Sequence, residues 1–175
     1  MDASTREQWG EIAARTLEAQ PRVARRLLDM VRGLSEITDG FSIDQMRHAL
    51  QTATRAERDG ADEQVVVAAL LHDVGKLISV PNHPRIAAEI LRPYVRDEVY
   101  AMVAHHQDFQ GRYYYEHPGL DPDLRRHHEG QPWYGLAERF ADEWDQRAFD
   151  PDYPAEPLEH FEPMVERVFA RAHSL

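Results

Sequence analysis

The chain has 175 residues, 42% hydrophobic and 29% charged, a composition far from that of disordered proteins and suited to one compact domain. Cysteine is absent, which excludes disulfides and thiolate ligands, so any tightly held metal must be bound by imidazole and carboxylate, a donor set that suits iron, manganese or zinc. The formal charge of -11 repels polyanions and argues against nucleic acid as a partner, which leaves a small molecule as the expected substrate.

In chain order, the opening MDASTREQWGEIAARTLEAQ alternates charged and apolar residues and does not resemble a signal peptide. No apolar run approaches the roughly 20 residues needed to span a bilayer, so a cytoplasmic protein without membrane contact is expected. From about Arg6 to Leu34, apolar residues recur at helical spacing, including Ile12, Leu17, Val23, Leu27, Leu28 and Val31, and predict two helices broken near Pro21. Ser42-Ile43-Asp44-Gln45 has the form of a capping box that opens a helix to about Asp59, where Gly60 can end it. Asp62 can cap the next helix, whose centre, Val65 to Leu71, is apolar on every face and is therefore expected to be the buried middle of a bundle. His72, Asp73, Gly75 and Lys76 follow where that element stops, and Lys76 is the single lysine among 20 basic residues.

Asn82 can cap a helix from His83 to about Leu91, with Pro84 in its first turn. Another helix is predicted from about Glu98 to His106. Residues 107–131 are irregular, a length of loop that in so small a domain is more often functional than not. Final helices are expected from about Trp133 to Phe149 and from Leu158 to Ala170, and no segment has the alternation of a strand. The reading is an all-α, single-domain helical bundle over 1–175, with an N-terminal helical extension over 1–40 and a core over 41–170.

The strongest chemical signal is a distributed set of imidazoles and carboxylates: His48, His72-Asp73, His83, His105-His106 and Asp145. A lone histidine on an apolar face is usually a satisfied core residue, so the argument rests on the set. Several helices of a bundle can aim such side chains at one interior point. His72 and Asp73 follow seven apolar residues, where an ionised carboxylate without a partner is very costly. A metal supplies that partner, and a carboxylate with two oxygens can bridge a pair of ions about 3.5–4 Å apart.

The string AALLHDVGK (68–76) resembles the HD superfamily of metal-dependent phosphohydrolases. HALQTA (48–53), followed by DGADEQVVVAALLHD (59–73), is similar to its mixed-valent diiron oxygenase branch, which includes enzymes that cleave organophosphonates and has inositol oxygenase as a more distant relative. The resemblance spans about Ile43 to Pro163 and implies an HD-domain fold. It further implies two metal ions, iron as Fe2+/Fe3+ with Mn or Zn as alternatives. His48, His72 and Asp145 would bind one, Asp73 would bridge, and His83 with His106 would hold the second. Adjacent helical residues point about 100° apart, so His106 is taken as the ligand and His105 as a residue that contacts substrate or supports a ligand.

One departure concerns the substrate. The phosphonate-cleaving relatives place Arg three residues before the final ligand, whereas this chain has Asp142, which would oppose a phosphonate dianion. Lys76 stands where HD phosphohydrolases and inositol oxygenase also carry lysine. The stretch QDFQGRYYY (107–115) is either a substrate lid, with Arg112 pairing an anion and Tyr113 or a neighbouring tyrosine donating a hydrogen bond, or a packed loop. Gln51 lies one turn after His48 and can reach the site or orient a ligand. His117, His127, His128, His160 and His173 are read as surface or structural residues. Two activities remain open, oxygenation of a small hydroxylated or anionic substrate with O2 and hydrolysis of a small phosphoester.

Overall fold

A computed structural model describes residues 3–18, 21–170 and 172; the side chain of Leu17, and His173, lie outside them. Among the described residues there are eight α-helices and no strand. They are α1 (Arg6–Glu18), α2 (Pro21–Gly33), α3 (Gln45–Arg58), α4 (Glu63–Leu71), α5 (His83–Leu91), α6 (Asp97–Gln110), α7 (Tyr134–Arg139) and α8 (Leu158–Phe169). Helix α7 continues directly into a π-helical segment, Phe140–Asp145, and short 3-10 turns link several of the others.

Helix α4 is the axis of the bundle. Val65 to Leu71 are each no more than 1% exposed, as a helix without a polar face requires. Around it pack α2, α3, α6 and α8, with α5 against the outer side of α6. Burial of each such Val or Leu contributes about 1.5–3 kcal/mol. Helix α2 feeds Leu27, Leu28 and Val31 into the same core, whereas the described side chains of α1 are exposed. Ile12, expected on a packed face, is 48% exposed, so among the described residues nothing buries that face of α1.

Several helix ends differ from expectation for local reasons. The cap of α3 is Asp44, whose carboxylate accepts the Arg47 N–H at 2.8 Å, while Ser42 instead donates to the carbonyl of Phe149 at 3.0 Å. Asn82 precedes α5 without a side-chain capping bond. Helix α6 begins after Arg96 and runs on to Gln110, four residues past the expected end. The region beyond it is less irregular than its composition suggests, with 3-10 turns at Gly111–Tyr113 and Leu124–His128. The helix expected to reach Phe149 stops being α-helical at Arg139, and the wider π winding carries the chain to Asp145.

Asp62 caps α4 as expected, with Oδ1 accepting from the Gln64 and Val65 N–H groups. The same carboxylate accepts from both guanidinium nitrogens of Arg96, at 3.0 and 2.7 Å, and so ties the start of α4 to the start of α6. Hydrogen bonding from Arg96 holds the Asp62 carboxyl below the usual range, against the smaller opposing effect of burial. A group so depressed stabilises the fold above its unfolded pKa, and that contribution fades as pH falls through the folded value. We expect Asp62→Ala to cost about 1 kcal/mol, a fall in Tm of about 2–4 °C in thermal unfolding at pH 7. Asp62→Asn keeps the cap and should lose less, with its deficit vanishing in acid.

Candidate metal centre

Five elements deliver six ionisable side chains to one buried point. His48 comes from α3, His72 from the C-terminal end of α4, Asp73 from the residue after it, His83 from the first position of α5, His106 from α6 and Asp145 from the end of the π segment. None is more than 4% exposed. The Nε2 of His48 lies 3.2 Å from that of His72 and 3.1 Å from Asp145 Oδ1, and His72 Nε2 lies 3.5 Å from the same oxygen. On the other side, His83 Nε2 lies 3.3 Å from His106 Nε2. Asp73 stands between the two groups. Its Oδ2 is 3.5 and 3.4 Å from the nitrogens of His48 and His72, and its Oδ1 is 3.0 and 3.6 Å from those of His83 and His106.

The tautomers follow from the outer ring nitrogens. Each Nδ1 faces a backbone carbonyl, which can only accept: Ala148 for His48 at 3.0 Å, Ala69 for His72 at 2.8 Å, Val80 for His83 at 2.6 Å and Val103 for His106 at 2.8 Å. The proton of each neutral ring is therefore on Nδ1, and the Nε2 atoms meet in pairs, lone pair against lone pair. Such pairs repel unless an electrophile lies between them. Asp73 Oδ1 and Asp145 Oδ2 are also buried without a hydrogen-bond donor. Neutral imidazoles with their outer N–H held, converging with carboxylates, are the arrangement in which proteins hold divalent metals, and this buried cluster fits a metal site.

The electrostatics are those of a site poised for cations. Burial alone would raise the Asp145 carboxyl, but the imidazoles of His72 and His48 beside it outweigh burial and drive it well below the usual range. Asp73 is likewise pushed far down, with burial opposed by His72, Lys76 and the imidazoles of His106 and His83. For His72, burial favours the neutral ring, but Asp73 and Asp145 prevail and raise its proton affinity. His106 lies farther from that negative charge, and burial lowers it.

The surroundings explain why these positions are occupied as they are. A Cβ on Gly75 would lie 2.3 Å from the carbonyl oxygen of His83, so only glycine lets the turn after Asp73 press against the start of α5. Lys76 donates to Asp73 Oδ2 at 2.7 Å and to Gln45 Oε1 at 2.8 Å. Gln110 donates to Asp145 Oδ1 at 2.9 Å. Phe149 stacks on the His48 ring at 4.1 Å, and Phe140 meets the His72 ring edge-on. Gln45 was missed by the sequence reading, although it lies three residues before His48 and so on the same helical face.

A cavity of about 580 Å³ opens beside this centre, lined among others by Phe41, Lys76, Val80, His83, Tyr113, Tyr114 and Phe149. Three of the expected site residues are placed elsewhere. Gln51 clamps the backbone of Asp150, donating to its carbonyl at 2.6 Å and accepting from its N–H at 3.3 Å, which fixes the segment bearing Ala148 instead of touching the centre. His105 turns away from His106 and stacks on Trp133. Arg112 is exposed and does not line the cavity, while Tyr113 does. Burial and a hydrogen bond with Asp142 push the Tyr113 hydroxyl up to about 12. Asp142 itself is paired with the buried Arg125 at 3.1 Å, so it does not present the bare negative charge expected of it.

Metal content measured after reconstitution and gel filtration should collapse in His72→Ala and Asp73→Ala. It should be unchanged in His160→Ala, whose ring bonds Glu57 on the exposed surface. Bound metal should also be lost as pH falls, because protons compete for the same Nε2 lone pairs. Equal metal content in all three variants would remove the cluster from consideration.

Among families of known proteins, the HD domain matches residues 46–150. No curated protein matches the chain. The matched span contains all six converging side chains, and HD domain members are typically metal-dependent enzymes with phosphohydrolase-like activity. The chain belongs to the HD domain family.

Proposed function

We propose that the chain is a dinuclear iron oxygenase acting on a small hydroxylated or anionic organic substrate. His48, His72 and Asp145 would hold one ion, His83 and His106 the other, and Asp73 would bridge them. The observation that carries this reading is the wall of the adjoining cavity. Phe41, Val80, Tyr113, Tyr114 and Phe149 make it largely apolar, and Gln107, Gln110 and Gln146 add neutral amides. Lys76 is the single cation of that wall and is already engaged by Asp73, while Asp39 adds a negative charge. Phosphoryl sites gather several Arg and Lys side chains around their oxygens, whereas this lining offers no Arg and only the engaged Lys76. A substrate with little charge and a C–H bond to present suits it better.

Iron bound there would supply the redox and Lewis-acid chemistry that coupling O2 to a C–H bond demands, the electrons being drawn from the oxidised substrate. The protein's own groups have separate tasks. Lys76 has one N–H beyond those given to Gln45 and Asp73, available to a substrate hydroxyl or carboxylate. Gln110 holds Asp145 by one oxygen.

Hydrolysis of a small phosphoester is the second reading, favoured by the family and by the ammonium of Lys76 beside the bridging carboxylate, where it can stabilise developing charge. The two separate experimentally. Protein reconstituted anaerobically with iron should show a spin-coupled two-iron signal, and should consume O2 when offered members of a panel of small hydroxy acids and polyols. Manganese-loaded protein should leave p-nitrophenyl phosphate and nucleoside monophosphates intact. Phosphoester turnover indifferent to O2 would overturn the oxygenase.

A further inference from the structure

We propose that His105, Asp108 and His128 form a second, outer metal site that takes one divalent first-row transition ion, with zinc as the best-suited member. His105 and Asp108 are three residues apart on α6 and so share a face, and His128 arrives from the 3-10 turn Leu124–His128. Asp108 Oδ2 lies 3.3 Å from His105 Nδ1 and 2.9 Å from His128 Nε2, and one donor atom from each residue lies within 4.8 Å of the other two. Zinc bonds to N and O of about 2.0–2.2 Å place donors roughly 3–3.6 Å apart, so small side-chain shifts close the site.

The two rings are held in place before any ion arrives. His105 stacks on Trp133 at 4.9 Å and 10°, and His128 lies parallel to Phe109 at 5.8 Å and 13°. The three side chains are 20%, 35% and 16% exposed, open enough for an ion and a completing water to enter from solvent. Two neutral imidazoles and one carboxylate leave a single negative charge facing the cation. Arg85 approaches His105 Nε2 at 3.4 Å, so an ion on Nδ1 shifts the ring proton to Nε2, and the exposed guanidinium must swing aside.

This site is separate from the buried centre because His105 and His106 leave α6 in different directions. Its effect is on the chain between Gly111 and Trp133, which includes the cavity-lining Tyr113 and Tyr114. An ion there ties the far end of that segment to α6, as a staple does.

The test uses full-length protein with its buried centre first loaded with iron and then titrated with Zn2+. Wild type should retain one more zinc per chain after gel filtration than His128→Gln or Asp108→Asn, with iron content the same in all three. Ni2+ should quench the fluorescence of Trp133 in wild type and do so at least tenfold less effectively in the variants. Asp108→Asn is isosteric and half-exposed, so it provides a folded comparison should His128→Gln be unstable. Equal zinc retention by wild type and both variants, or quenching that survives in them, overturns the proposal.

Discussion

Asp73 ends the most apolar helix of the protein at 2% exposure, and each of its two oxygens faces a pair of imidazole nitrogens. An ionised carboxylate there is tolerable only beside positive charge. Lys76 offers some of it from the side, through one oxygen. The four Nε2 atoms cannot offer more while neutral, since their protons are committed to carbonyls on the far side of each ring. The centre is thus a set of electron pairs aimed inward, and the demand for cations comes from the packing itself.

The means of aiming differ between ligands. His72, His83 and His106 each donate to the carbonyl three residues before them, a device internal to the local turn. His48 instead donates to Ala148, 100 residues away. The segment holding that carbonyl is in turn clamped by Gln51 and roofed by the stacked rings of Phe41 and Phe149. Most of the centre is therefore built by local backbone geometry, while His48 and Asp145 depend on the closure of the chain's C-terminal third over α3. The π winding belongs to that closure, because it ends at Asp145 with Trp144 also buried and its indole N–H bonded to Asp59.

Helix α6 carries chemistry on two sides. His106 faces the buried centre, and His105 faces an aromatic and imidazole cluster outside it. The segment between Gly111 and Trp133 lies between these two functions, with tyrosines on the cavity wall at its start and His128 near its end. One stretch of chain thus contributes both to the cavity wall and to the outer cluster.

From sequence alone, the helical class and the buried character of α4 were readable, and the resemblance to the HD superfamily singled out His48, His72, Asp73, His83, His106 and Asp145, the side chains that converge. Apolar periodicity reports burial directly, and an acid after seven apolar residues demands a partner wherever the chain folds. Helix ends were less readable, since Ser42 and Asp44 are equally good caps until the carbonyl of Phe149 claims the serine. Tertiary structure alone decided where Gln51, His105 and Arg112 point. A side chain with several hydrogen-bonding choices takes whichever partner packing brings near, here the backbone of Asp150, the face of Trp133 and bulk solvent. It also decided that Asp142 is neutralised by Arg125, because residues 17 apart on irregular chain meet only when the bundle closes.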